Sequence, residues 1–506
     1  MDETTYSTPA VIETLNREFV PVRVDNDLRP DVNARYNMGG WPTTAFLTPQ
    51  GDILAGATYM PPDQMVGALG EIVSFYRTRR PEIAAKVLEM RKRSGGLVAA
   101  QAGALSPSLV DTVLDAAVAA YDETYGGFGS SPKFPQAEAL ALLTEQATVR
   151  EKPELLRMAR FTLEQMAGGG TYDQVAGGFF RYSTTPDWSV PHFEKMLEDH
   201  GLLVTALALT GQTEILDRTT RYLDEVLRDP DTGLYAGSQD ADEDYYSLDA
   251  TGRADLEPPY VDRRVYSSWN CILATGYLEA DRRLKRPELR EKALTALTRL
   301  FAERHRGGRG LAHTDQVDGQ LGDQVWGLLA AVRAHSAGLG QGWLERANNL
   351  AEHLETEYLD ERFGGYFDTA ASGGPGRLDE RLKPLPENSI AALALTELDG
   401  LAGDPDSPYR RRAERALESV AELPGRYGIM AAAFARSLDR LLRPAIKVTT
   451  SSPALTRAAL AAYPYAVIEP GEERRAIVCV GTLCLAPVET EEELGGAVHD
   501  AAHARA

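Results

Sequence analysis

The spacing of apolar positions divides the chain into three stretches of different character. Over residues 1–65 helix and strand signals alternate. Thr8 followed by Pro9 predicts a helix start, because proline at the first helical position lacks only an amide that would go unpaired anyway. Phe19-Val20-Pro21-Val22-Arg23-Val24-Asp25 alternates with a period of two and predicts a strand. Thr44-Ala45-Phe46-Leu47 predicts a buried strand that ends in a turn at Gly51-Asp52, and Ile53-Leu54-Ala55-Gly56 the returning strand. Met65, Leu69, Ile72 and Phe75 fall on one face of a helix spanning 62–95. Residues 1–95 thus form a small α/β domain.

From 105 to 443 the pattern becomes helical. Ala- and Leu-rich stretches at 109–120, 138–146, 157–166, 194–209 and 323–337 alternate with glycine- and aromatic-rich loops. The loops recur: Gly126-Gly127-Phe128, Gly177-Gly178-Phe179, Gly233-Leu234-Tyr235, Gly307-Gly308-Arg309-Gly310-Leu311, Gly364-Gly365-Tyr366 and, more weakly, Gly425-Arg426-Tyr427-Gly428. Successive members lie roughly 50–75 residues apart, room for two helices and their connections. Six such units close a ring of paired helices, whereas open solenoids repeat at about 34–47 residues. Residues 444–506 return to short strands at 445–448 and 476–480 around a helix at 453–462, a small α/β appendage.

Composition narrows the function classes. With 43% hydrophobic and 25% charged residues the chain reads as globular. It has no run of about 18 apolar residues, so no membrane helix is expected. The acidic start, Met1-Asp2-Glu3, does not read as a signal peptide. A net charge of −21 argues against nucleic acid and against anionic membrane surfaces as partners. Three cysteines in 506 residues fit a reducing cytoplasm. Cys479 and Cys484 are expected as reduced, half-buried core thiols, and Cys271 as packing. No cofactor and no metal site is expected.

Gly39-Gly40-Trp41-Pro42-Thr43 precedes an apolar strand. In a thioredoxin fold that place belongs to a cis-proline, a rare geometry usually held by function or a tight turn, and Pro42 is the candidate. At these residues the chain resembles the YyaL / spermatogenesis-associated protein 20 family of thioredoxin-domain proteins. The resemblance runs through Val22-Arg23-Val24-Asp25, Arg29-Pro30-Asp31-Val32, Gly39-Gly40-Trp41-Pro42 and Phe46-Leu47-Thr48-Pro49. It continues in Phe128-Gly129-Ser130-Ser131-Pro132-Lys133-Phe134-Pro135, in Pro191-His192-Phe193-Glu194-Lys195-Met196-Leu197 and in Ser238-Gln239-Asp240-Ala241-Asp242. Ser268-Trp269-Asn270 and the tail from Cys479 to Cys484 complete it.

The resemblance implies a mainly α fold: a closed (α/α)6 toroid of the six-hairpin, glycosidase-like kind over 105–443. An incomplete thioredoxin-like α/β domain would precede it and the small α/β segment 444–506 follow it. It also implies a Cys-His-Trp-Cys-His-Val-Met motif whose Met corresponds to Met1, so the sequence reads as starting late, with a natural truncation as the alternative. Thiol–disulfide exchange needs a thiolate, and residues 1–100 contain no cysteine. No dithiol activity is expected from this chain.

Closed toroids gather long loops at one mouth, and the polar residues of those loops are the candidate site. Two of the nine lysines, Lys133 and Lys195, fall in loop motifs. Pro191 predicts a helix start that would put His192, Lys195, Met196 and Asp199 on one face and Glu194 and Glu198 on another. Imidazole exchanges a proton near neutrality, so His192 is a candidate acid or base. Asp173, Glu194, Asp240 and Asp242 are the candidate catalytic carboxylates. Lys133, Gln136, Lys195, Trp269, Asn270 and Asp323 are candidates for substrate binding, Trp269-Asn270 as an aromatic–amide pair suited to sugars. The expected ligand is a small molecule of the sugar class. The alternatives are a redox-linked protein that recruits a protein client, and a non-catalytic scaffold.

Overall fold

A computed structural model describes residues 1, 3–97, 102–370, 374–404 and 406–503. They form two compact units, Met1–Gln101 with Phe367–Lys383, and Ala102–Tyr366 with Pro384–Ala506.

In the first unit, helices Pro9–Glu18, Pro30–Tyr36, Pro62–Thr78 and Arg80–Leu97 accompany an antiparallel hairpin, Thr44–Leu47 with Ile53–Ala57. Val11, Phe46, Met65 and Leu69 make its core. The helix expected over 62–95 breaks at Arg79, because Pro81 removes an amide and clashes with the preceding turn. The strand expected at 19–25 does not form. Pro21 removes a ladder donor, and Val20 and Val22 are 89% and 77% exposed. The Trp41–Pro42 peptide is cis. Residues 367–383, which the sequence pattern assigns to the helical stretch, cluster here instead. Arg35 holds them: its guanidinium donates to Asp368 (2.6 and 3.1 Å) and to the carbonyls of Arg377 and Glu380.

The second unit is a ring of helical hairpins. Among the described residues the outer helices are Pro107–Ala120, Pro153–Gly168, Thr213–Tyr222, Pro287–Arg304, Gly342–His353 and Tyr409–Glu418. The inner ones are Ala137–Val149, Leu197–Thr210, Ser267–Leu284, Leu321–Ser336, Leu385–Ala402 and Ala432–Leu442. Each inner helix packs on the next, and Ala137–Val149 touches both Leu197–Thr210 and Ala432–Leu442, so the ring closes. Position in the ring explains the sequence patterns. Outer helices bury one stripe, as Leu216, Thr219, Thr220 and Tyr222 do in theirs. Inner helices are enclosed all round, and Ser267 to Ala280 are buried without a break.

The C-terminal segment covers the end of the ring where the inner helices finish. Its four-stranded sheet runs in the order Leu483–Cys484, Ile477–Val480, Ile446–Thr450, Val467–Pro470, antiparallel except for the last pair. Val467–Pro470 packs on Leu321–Ser336 and Leu385–Ala402, and helix Pro453–Ala462 packs on Ser267–Leu284. Cys479 and Cys484 face each other across their strand pair and form a disulfide. This corrects the expectation of two reduced thiols, which spacing alone could not distinguish from a cross-strand pair. Cys271 is the buried free thiol, and burial beside Asp323 raises its pKa. Among the described residues no helix is long and apolar enough to cross a membrane.

At the covered end a buried ionic chain links inner helices. Glu279 meets Arg282, Arg283 and Arg333; Arg333 meets Glu397 at 3.0 Å; Glu397 meets Arg440 at 2.9 Å. Arg436 binds Glu145 at 2.7 Å and Glu138 at 2.5 Å. Burial would raise the Glu397 pKa, but the surrounding arginines outweigh it and bring it to about 2. Removing one member strands its partners without water. Glu397→Leu should therefore destabilise the ring by about 3–5 kcal/mol, seen as an earlier urea midpoint. Arg411→Ala breaks only the exposed pairs with Glu414 and Glu418, and should shift that midpoint by less than about 1 kcal/mol.

Candidate functional site

The recurring loops stand beside the first turns of the inner helices, and one backbone device builds four of them. Asp122, Asp173, Asp229 and Asp360 each open a loop. The aspartate amide donates to the carbonyl five residues on, and its carbonyl accepts from the amide four residues on. Each carboxylate then caps the amides two and three residues ahead, at 2.8–3.3 Å. The turn needs a positive φ, supplied by Gly126, Gly177, Gly233 and Gly364. At Gly178 a Cβ would come within 2.5 Å of the Tyr222 ring.

The fourth residue of an inner helix then locks the loop. The amides of Phe179, Tyr235, Leu311 and Tyr366 donate to His200, Asn270, Gln324 and Asn388, at 2.8–2.9 Å. The three side-chain amides also donate back to the carbonyls of Tyr235, Leu311 and Tyr366. Asn270 is therefore a buried backbone clamp, which corrects its reading as a sugar-binding amide. His200, which the sequence analysis did not single out, does the same with its imidazole. Its Nδ1 donates to the Met196 carbonyl (2.6 Å), leaving Nε2 as the acceptor.

Two predicted lysines neutralise loop aspartates. Lys195 binds Asp173 (2.8 Å) and the Gly177 carbonyl (2.9 Å), with its ammonium 4.2 Å from the Tyr222 ring centre and 4.9 Å from that of Phe180. Burial lowers its pKa to about 8 against the pull of Asp173. Arg253 completes a buried triad with two bonds to Asp173. Burial alone would raise the Asp173 pKa, but the two cations outweigh it and hold it low. In the preceding hairpin Lys133 binds Asp122 (2.6 Å) and the carbonyls of Gly126 and Pro186 (both 2.8 Å). Asp173, Lys195 and Lys133 have no exposed side-chain surface. The structure places them in the framework.

Residues 191–196 are not the first turn of a helix. Pro191–His192 pairs with Tyr182–Ser183, and Lys195–Met196 is an edge of a three-stranded sheet with Ser238–Gln239 and Val261–Asp262; the helix begins at Leu197. The shared helical face of His192, Lys195, Met196 and Asp199 is thereby withdrawn: alternation sends Lys195 inward and leaves Glu194 on the other side. The sheet brings Glu194, Asp240 and Asp262 together. Burial and the neighbouring charges of Glu194 and Asp262 raise the Asp240 pKa. Burial pushes Glu194 up as well, but His192 (3.8 Å) and Arg181 (2.7 Å) outweigh it and hold its pKa below the usual range.

An aromatic stack flanks these carboxyls. Phe134 lies 4.8 Å from Tyr182, and Tyr182 stacks on His192 at 5.0 Å. Trp269 is buried against Tyr266 (4.4 Å), whose hydroxyl donates to Asp262 (3.2 Å). The other candidates take structural places. Asp242 caps the short helix Glu243–Tyr246 through the Tyr245 amide. Gln136 is half-buried at φ 51, just before Ala137–Val149. Asp323 is buried on Leu321–Ser336, accepting from the Ser268 amide (2.8 Å) and facing His313 Nδ1 (3.0 Å). Sequence reasoning did not single out Arg181, Tyr182, Asp262 and His313: the strands of Tyr182 and Asp262 are two residues long and carry no period, and Arg181 and His313 lie outside any strand.

Two outcomes separate framework from site. His200 has a folded pKa of about 4 against about 6.5 unfolded. Below pH 6.5 the unfolded chain binds the extra proton, so stability is complete above that pH. It falls by roughly 3 kcal/mol as pH drops through 4. His200→Gln, which copies Gln324, should flatten this slope in urea titrations run from pH 7 to 4. Asn270→Ala should cost about 2 kcal/mol at pH 7, because it leaves a buried amide unpaired.

Residues 1–93 match the family model Thioredox_DsbH, described as "Protein of unknown function, DUF255". The human spermatogenesis-associated protein 20 is 32% identical over 275 residues, covering 48% of this chain and 34% of that protein. The chain therefore spans far less than two thirds of that relative. Cellobiose 2-epimerase from Bacillus thermoamylovorans B4167 superposes with a TM-score of 0.50 at 11% identity, over 62% of this chain and 85% of its own. A D-mannose isomerase gives 0.50 at 12%, over 66% and 98%. At such identities these two show the fold, a closed (α/α)6 toroid. The chain is thus similar to spermatogenesis-associated protein 20 over 48% of its own length, with the thioredoxin-related match at its N-terminal end.

Proposed function

We propose that the helical ring binds a small carbohydrate beside the Glu194–Asp240–Asp262 cluster and acts on it by proton transfer. One observation carries the reading: neighbouring carboxyls are pushed in opposite directions, Asp240 up and Glu194 down. Such a divergence assigns roles. Asp240, the exposed member, keeps its proton longer and is the donor. Glu194, ion-paired with Arg181, stays ionised and is the base. Hydrolysis and epimerisation of sugars both need such a pair. The Phe134–Tyr182–His192 stack offers a flat face for a sugar ring, and His192 sits within reach of Glu194 to relay or steady a proton. The two solved toroids, named for a cellobiose epimerase and a mannose isomerase, support the substrate class. A cytoplasmic setting belongs to the same reading and rests on the scarcity of cysteine, with the Cys479–Cys484 disulfide counting against it.

The test is a panel of mono- and disaccharides, read by calorimetry for binding and by NMR for turnover. Asp240→Asn should lower turnover by about 10²-fold or more, and His192→Ala should weaken sugar binding about tenfold. Asp242→Ala should cost about 1 kcal/mol of stability and leave binding intact. The pH profile should lose activity on the acid side as Glu194 takes up a proton, at a pH lowered from that of a free glutamate. It should lose activity on the alkaline side as Asp240 gives up its own, at a pH raised from that of a free aspartate. Asp240→Asn should abolish the alkaline limb. Sugar binding and turnover unchanged in both site variants would defeat the proposal.

A further inference from the structure

At the covered end of the ring, away from the carboxylate cluster, three side chains that no part of the proposed reaction uses converge. Glu151 lies in the turn between helices Ala137–Val149 and Pro153–Gly168. His499 and His503 lie four residues apart on the C-terminal helix Glu491–His503, so they share a face. One ligand atom from each lies within 4.8 Å of the other two. The two imidazole rings are 4.2 Å apart. All three residues line one cavity of about 240 Å³, together with Thr148, Arg443 and Tyr463.

The chemistry of the donors is specific. His503 Nδ1 donates to the His499 carbonyl at 2.8 Å. That bond fixes the tautomer and leaves Nε2 with its lone pair, the second-sphere arrangement found for metal-bound histidines. Among the described residues the one cation in the cavity lining, Arg443, is held by Asp439 at 2.9 Å, so its charge is already balanced. Glu151 occupies the left-handed region at φ 55, a conformation a glutamate adopts rarely. Two imidazoles and a carboxylate suit zinc. Calcium and magnesium take oxygen donors, and monovalent copper prefers thiolate or thioether. Tetrahedral zinc with bonds of about 2.0–2.1 Å places its ligands about 3.4 Å apart. With His503 held by that bond, rotation of the exposed Glu151 and His499 side chains would close the remaining gap.

We propose that Glu151, His499 and His503 bind a divalent transition-metal ion of the zinc class, with a water in the fourth position. The ion clips the C-terminal helix to the turn between the first and second hairpins. The site is independent of the carbohydrate reading and stands or falls alone.

Untagged full-length chain, stripped with chelator and titrated with zinc chloride by calorimetry, should bind one equivalent. His499→Ala, His503→Ala and Glu151→Gln should each weaken that binding by about tenfold or more. Asp500→Asn, next to His499 and also exposed, should leave it unchanged, and magnesium chloride should give no heat. Zinc should raise the melting temperature of the native chain by on the order of 2 °C and not that of His499→Ala. Equal zinc binding in the native chain and all three variants, or no uptake at tens of micromolar zinc, overturns the proposal.

Discussion

The ring depends on one repeated hydrogen bond: a side chain in the first turn of an inner helix receives the amide of the loop that precedes it. His200, Asn270, Gln324 and Asn388 fill this place with three chemistries and one geometry. The loop is irregular backbone brought into a buried setting, where unpaired amides are costly. A helix fixes the position of its fourth residue rigidly, so each lock sets where a loop begins its path across the end of the ring. Candidate chemistry thus hangs from helices by way of their first turns.

The buried charges follow a matching logic at the two ends. Beside the loops, Lys133 and Lys195 neutralise the aspartates that shape the turns. At the covered end, Glu279, Arg333, Glu397 and Arg440 pass charge from helix to helix. Ions of this kind add little net stability over apolar packing, but they penalise any sliding of one helix against its neighbour. Between the two layers the walls are Ala, Leu and Val, which resist compression but not rotation.

Much of this architecture was legible in the chain. Glycine pairs at positive φ followed by an aromatic residue announce three of the turns, and the sixfold recurrence of glycine-bearing loops announces a closed ring. The site was legible only in part. Asp173 and Lys195 have the composition of an acid–base pair, and nothing in their spacing distinguishes catalysis from burial. Asn270 beside Trp269 resembles a sugar-binding pair, yet the identical geometry at Gln324 and Asn388 gives all three a backbone role. The two-residue strands around His192 and Asp262 are too short for any period to appear, so the place of Asp262 beside Glu194 shows only in the folded sheet. Residues 19–25 show the reverse error: alternation without a pairing partner does not make a strand.

The C-terminal segment is tied to the buried ionic chain beneath it, since Arg440 donates to the Tyr465 carbonyl (3.0 Å) and Arg283 to that of Leu460 (3.3 Å). Peeling the segment away would bare those guanidinium groups and leave their bonds unmade, so the appendage and the helices under it should come apart as one cooperative unit.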